Sequence, residues 1–126
     1  MPKTPIWTGQ PIEGAPYTPG IAAQGLIFVS GQVPVDPATG KVVEGEFADR
    51  VRRCILNVQG VLRAAGADLE NVVKVVVFLT DMGRFAEMNA VYREYWGETK
   101  PARSCVQVAG LPLGVDVEIE AIATQS

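Results

Sequence analysis

The stretch that most constrains this chain is Asn71–Leu79, which is rich in valine and apolar at almost every position. Valine is stiff at χ1 and packs well on a pleated surface, so the run reads as a strand. Near-continuous apolarity, in place of strict alternation, is the mark of a strand covered on both faces. Its strongly apolar part, Val72–Leu79, is interrupted by Lys74 and falls far below the ~20 residues of a membrane helix. With 126 residues, of which 48% are apolar and 20% charged, the chain has the size and composition of one domain with a real core. A single domain over 1–126 is therefore expected, and the rest of the chain must supply that strand's cover.

The supply is limited. The first 25 residues carry Pro2, Pro5, Pro11, Pro16 and Pro19 among Gly9, Gly14, Gly20 and Gly25, a pattern of short strands and turns. Leu26–Val29 is a β-prone run closed by Ser30-Gly31. Gln32–Val35 continues it to a turn at Asp36–Gly40, giving a hairpin. At Phe47 the period becomes helical: Phe47, Val51, Cys54, Ile55, Val58, Leu62 and Ala65 form one stripe, and Gly66 stands where a left-handed cap is expected. A second helix is predicted from about Arg84 to Trp96, capped by Asp81, with Phe85, Met88, Tyr92, Tyr95 and Trp96 packing inward. Strands at Ala102–Val108 and Val115–Thr124 close the chain. Two helices on one face of a sheet make a layered α+β domain. They leave the other face bare, so neighbouring subunits are the expected cover, in a closed homo-oligomer.

The chain contains no histidine, which removes His-based acids and bases, Ser-His-Asp and Cys-His pairs and HExxH zinc sites. Two cysteines, Cys54 and Cys105, make neither a disulfide framework nor a zinc cluster. GxGxxG, Walker A and GxSxG patterns are all absent. A net charge of −3 argues against binding by phosphate neutralisation, so no nucleic-acid partner is expected. The start, Met1-Pro2-Lys3-Thr4-Pro5, has no apolar core of a secretion signal and is not Arg- and Ser-rich. A soluble, cytoplasmic protein without a membrane partner is the expectation, with entry into a mitochondrion left open.

Chemistry is concentrated in the last two strands. Alternation puts Arg103, Cys105 and Gln107 on one face, and Asp116, Glu118 and Glu120 on one face of the final strand. If the two strands fold back as antiparallel neighbours, Arg103 lies near Glu120 and diagonal to Glu118, with Cys105 opposite Glu118. Two accounts fit that arrangement. One is a wet sheet face whose cross-strand ion pairs are worth only ~0.2–1 kcal/mol each. The other is a subunit boundary, where Arg103 clamps a substrate carboxylate and a partly desolvated Glu118 acts as a base.

Other residues carry the same double reading. Tyr17 is a surface or packing aromatic, or part of a site. Ser30-Gly31 ends a strand, or lets a ligand reach the main chain. Asn89 interrupts an apolar helix face, a place where an amide satisfies buried backbone. Cys105 has no base or cation cluster beside it in sequence, which favours a small buried residue over a nucleophile. Arg50, Arg52 and Arg53 read as a solvated helix face.

Ser30-Gly31-Gln32-Val33-Pro34 with Asp36-Pro37-Ala38-Thr39-Gly40, then Pro101-Ala102-Arg103-Ser104-Cys105-Val106, and Leu111-Pro112 leading to Val117–Ala123, are separated motifs that stand in register. Together, over nearly the whole chain, they resemble the RidA/YjgF/YER057c family of reactive-intermediate deaminases. The resemblance implies a chorismate-mutase-like subunit in a homotrimer, with sites in clefts between subunits. It implies hydrolysis of 2-aminoacrylate (2-iminopropanoate) and related 2-imino acids to 2-oxo acids and ammonia, without cofactor or metal. It also assigns roles: Arg103 to the substrate carboxylate, Glu118 to the attacking water, backbone at Cys105 and Gly31 to substrate atoms, and Tyr17, Ser30 and Asn89 to the pocket wall. Pro19 and Arg50-Val51 depart from the family's usual residues, which bears on substrate range.

Overall fold

A computed structural model describes residues 2–126. Eight strands and two helices follow the order β1 (Thr4–Ile6), β2 (Gly20–Ala23), β3 (Leu26–Gln32), β4 (Val35–Asp36), β5 (Lys41–Val42), α1 (Phe47–Ala64), β6 (Val72–Leu79), α2 (Phe85–Tyr92), β7 (Ala102–Gln107) and β8 (Val117–Thr124). Six strands form one mixed sheet in the order β1-β2-β3-β8-β6-β7, and β4 and β5 form a small separate hairpin. No helix among the described residues is long and apolar enough to cross a membrane.

Helix α1 follows its predicted stripe. Val51, Cys54, Ile55, Val58 and Leu62 are all fully buried against the sheet. Complete burial of such side chains contributes roughly 1.5–3 kcal/mol each, which makes this seam the main source of stability. The helix stops because Gly66 takes a left-handed conformation (φ +81°) that a Cβ would oppose. That geometry lets the Ala67 and Gly66 amides donate to the Leu62 and Arg63 carbonyls at 2.9 and 3.1 Å, a Schellman ending. Helix α2 is shorter than its predicted span: a 3-10 turn at Met82–Arg84 precedes it, and Asp81 accepts from the Gly83 amide at 2.8 Å. Met88, Tyr92 and Trp96 pack inward as expected, whereas Phe85 stays 38% exposed.

Both helices lie on the sheet face that carries Ile27, Val29, Val75, Val77, Ile119 and Ala121, all buried. The opposite face carries Phe28, Val76, Phe78, Val106 and Ile122 around Glu118 and Glu120. Strand β6 is thus fully buried only at alternate positions, and its other face is half-buried with no described element over it. The continuous apolar run reflects its central place between β8 and β7 together with that uncovered face.

One expectation is overturned. β7 and β8 are not antiparallel neighbours, because β6 lies between them, parallel to β7 and antiparallel to β8. The intervening segment crosses the width of a strand instead of making a hairpin, with Leu113 in a left-handed conformation (φ +61°) on the way.

Candidate active site

Arg103 lies on the sheet-edge strand β7, in register with Val75, and its side chain leaves on the helix side. Helix α2 meets it with Phe85, Met88, Asn89 and Tyr92, a set spaced to share one helix face. Arg103 Nη1 donates to Asn89 Oδ1 at 2.7 Å. Its guanidinium carbon stands 4.6 Å from the Tyr92 ring centroid and 5.5 Å from that of Phe85, within cation–π range. Asn89 is therefore spent on orienting an arginine, not on buried backbone. Arg103 makes no ion pair among the described residues. A half-buried guanidinium held by an amide and two aromatic faces, with donors uncommitted, suits a planar anion.

Tyr92 closes the inner wall of this nest. Its hydroxyl is buried without a hydrogen-bond partner among the described residues, and burial pushes its pKa up to about 12, with the Arg103 charge pulling the other way. Cys105, two residues along β7, shares Arg103's face and is half-buried. Burial raises its thiol pKa, again opposed by Arg103, so the thiol is not an activated nucleophile. Cys54 is fully buried, with its thiol pKa also raised by burial.

Glu118 belongs to β8, on the face away from the helices, in register with Phe78. Burial raises its carboxyl pKa, and the nearby Glu120 charge adds to the rise. It makes no ion pair among the described residues. Beside it the β3–β8 register shifts between Val29 and Gln32, so Ser30 and Gly31 sit in a bulge. A Cβ on Gly31 would collide with the Glu118 carboxylate, so only glycine lets this carboxylate rest on the main chain of β3. Ser30 ties the bulge to the N-terminal loop, its Oγ donating to Thr18 O at 2.6 Å and its amide to Pro19 O at 2.9 Å.

The sequence-derived site therefore falls into separate groups in one chain. Arg103, Asn89 and Cys105 converge on the helix side at the β7 edge; Glu118 and Gly31 meet on the opposite side, with Ser30 adjacent. Tyr17, 64% exposed, stands with Gly31 at a groove of about 480 Å³ that holds neither Arg103 nor Glu118. The antiparallel pairing of Arg103 with Glu118 and Glu120, and of Cys105 with Glu118, does not occur. Phe85, which the pattern marks as core but which stays exposed, and Tyr92, which is core as expected, both belong to the arginine nest; their spacing around Asn89 is the available sign.

Of the four arginines of α1, Arg50 and Arg53 do different work from a solvated face. Arg50 grips Asp116 bidentately at 2.9 and 2.8 Å and donates to Gly45 O at 2.7 Å. Arg52 pairs loosely with Asp49 and Glu94, at 3.6 and 3.5 Å. Arg53 is half-buried and turned into the 480 Å³ groove.

A family model described as Endoribonuclease L-PSP matches residues 8–125. The chain belongs to this family, the RidA/YjgF family. The member in hand is 50% identical over 120 residues to Protein HMF1 of Saccharomyces cerevisiae, covering 95% of this chain and 92% of the yeast protein. It is 44% identical over 110 residues to the 2-iminobutanoate/2-iminopropanoate deaminase of Bos taurus, covering 87% and 80% of the two chains. Among solved structures, E. coli TdcF with bound serine superposes with a TM-score of 0.88 at 39% identity, covering 98% of this RidA/YjgF chain and 99% of TdcF. The mixed sheet with two helices on one face is shared with TdcF.

Proposed function

We propose that this protein hydrolyses small 2-imino acids, and the enamines in equilibrium with them, to 2-oxo acids and ammonia. The observation that carries the reading is the Arg103 nest: an unpaired guanidinium fixed by Asn89 between Phe85 and Tyr92. Two in-plane N–H groups fit one carboxylate, and a flat 2-imino acid places its reactive carbon next to that carboxylate. The deaminase name of the bovine relative and the serine bound to TdcF, a small amino acid with a carboxylate, point the same way.

Glu118 supplies the complementary group. A raised carboxyl pKa makes it a stronger base than an ordinary glutamate. It takes a proton from water as the water oxygen bonds to the imine carbon, and passes that proton to the imine nitrogen. The resulting carbinolamine gives its hydroxyl proton through the same carboxylate to the amine nitrogen, the C–N bond breaks, and ammonia leaves behind the 2-oxo acid. The imine is already electrophilic, so orientation and one base supply most of the acceleration. The Gly31 and Cys105 main chains hold substrate atoms, while Ser30 and Tyr17 shape the entrance.

Arg103 and Glu118 project from opposite sides of one sheet, so the reading requires Arg103 of one protomer to face Glu118 of another. A homotrimer closed through the uncovered sheet face, with Phe28, Val76, Phe78 and Val106 at the contact, provides that meeting. The ribonuclease in the family's description has less support here, because a chain of net charge −3 is a poor phosphate binder. The test is coupled turnover: a serine or threonine dehydratase generates the imine, and semicarbazide traps what survives. The wild-type chain should deplete the trapped product, and Arg103→Ala should not. Binding of 2-oxo acid without faster imine loss overturns the catalytic reading.

A further inference from the structure

The 480 Å³ groove lies between α1, the β3–β4 segment and the N-terminal loop, away from the Arg103 nest. Among the described residues that line it, Arg53 is the one charged side chain, and none is a carboxylate. Arg53 repeats the Arg103 arrangement. Its Nε donates to Asn57 Oδ1 at 3.0 Å, while Asn57 Nδ2 is pinned to the Val33 and Val35 carbonyls at 3.1 and 2.9 Å. The guanidinium is thereby oriented, makes no ion pair among the described residues, and keeps both Nη groups uncommitted.

Two features around it lack a purpose in the fold. Gly60 sits inside α1, where glycine weakens a helix, yet a Cβ there would meet nothing within 4 Å. Packing within the chain does not demand glycine; its effect is to keep the groove floor open. At the rim, Leu113 is held in a left-handed conformation (φ +61°) with 72% of its surface exposed, an arrangement unfavourable both for the backbone and for an apolar side chain. Leu56, Val33, Val35 and Pro37 supply apolar walls.

From these we infer that the groove is a second binding site, for a monocarboxylate with a flat apolar body, held by Arg53. One oriented guanidinium matches one carboxylate, and the described lining residues hold no second cation for a phosphate dianion. The apolar walls and the volume suit a ring in place of the two- or three-carbon chain of a 2-imino acid. The groove shares Tyr17 and Gly31 with the proposed imine site but neither Arg103 nor Glu118, so the Arg53 and Arg103 variants tell the two sites apart.

Benzoate is the probe, followed through the backbone amide signals of the full-length, isotope-labelled protein. Saturable shifts are expected at Arg53, Gly60 and Val33, and benzyl alcohol, which lacks the charge, should bind at least about tenfold more weakly. Arg53→Gln should weaken benzoate by about tenfold, and Gly60→Leu, which fills the floor, should abolish the shifts while the rest of the spectrum stays in place. Arg103→Ala should leave them unchanged. No saturable shift at these amides, equal affinity in Arg53→Gln, or shifts confined to the neighbours of Arg103 overturns the inference.

Discussion

Arg103 and Glu118 flank the same strand and leave it on opposite sides. Arg103 lies beside Val75, whose side chain is fully buried under the helices, while Glu118 lies beside Phe78 on the face those helices do not reach. The three-residue offset along β6 is odd, so strand alternation alone separates them. If both act on one substrate, they belong to different copies of the chain. Co-expressing Arg103→Ala with Glu118→Gln should then restore activity that neither variant has alone. Random mixing in a trimer places an intact arginine against an intact glutamate at about a quarter of the sites. Titration of the separately tagged variants measures this, and a mixture as inactive as its parents would refute the shared cleft.

Gly31 is expected to be as intolerant as the charged groups. A methyl group there meets the Glu118 carboxylate, so Gly31→Ala must displace the base without touching the Arg103 nest. The expected result is a kcat lower by about a hundredfold with KM little changed, since the proton-accepting group is lost and the carboxylate clamp kept. Steady-state kinetics on the coupled imine assay separates the two parameters. A variant that loses substrate affinity but keeps kcat would confine Gly31 to its main-chain contact with substrate and remove it from support of the base.

How much of this was legible beforehand depended on whether the information was local. The α1 stripe, the Gly66 cap and the extent of β6 were readable because each depends on neighbours a few residues away. Which strands pair is decided by the path between them, and the Ala109–Gly114 segment carries hairpin-like residues although it spans a crossover. Arg103 and Glu118 could be singled out as chemistry-bearing, but their faces could not be assigned until β6 was known to separate their strands. Asn89 reads in the sequence as an interruption of an apolar helix face. Its role in aiming an arginine appears only when β7 is in place.

Glu118 should trade stability against activity. Folding raises its pKa above the unfolded carboxylate value, so the native state favours the protonated form. That contribution is fully present below the unfolded pKa and is lost as pH rises through the folded pKa. Glu118→Gln should accordingly be more stable than wild type at neutral pH, by no more than about 1 kcal/mol after solvent screening, and equal to it in acid. Denaturant melts at several pH values test this. The same shift predicts an acid limb of kcat/KM above the ordinary carboxylate range, and a limb at an ordinary glutamate pKa would remove Glu118 from the base role.

Arg50 and Asp116 present the opposite sign. The bidentate contact ties the first helix to the approach of β8, two residues before Glu118, and the Asp116 main chain also accepts from the Thr80 amide at 3.2 Å. The Arg50 hydrogen bond is the largest influence holding the Asp116 carboxyl below its usual range, against an opposing effect of burial. A lowered folded pKa contributes stability above the unfolded value that is lost as pH falls through the folded one. Asp116→Asn should therefore cost about 1–2 kcal/mol at neutral pH, with the deficit shrinking toward acid as the wild-type carboxylate is protonated. Arg50→Lys should recover only part of that cost, because an ammonium cannot reproduce two parallel N–H contacts. Thermal melts of the three proteins at neutral and acid pH decide it: a deficit that does not depend on pH would assign the contact to packing instead of charge.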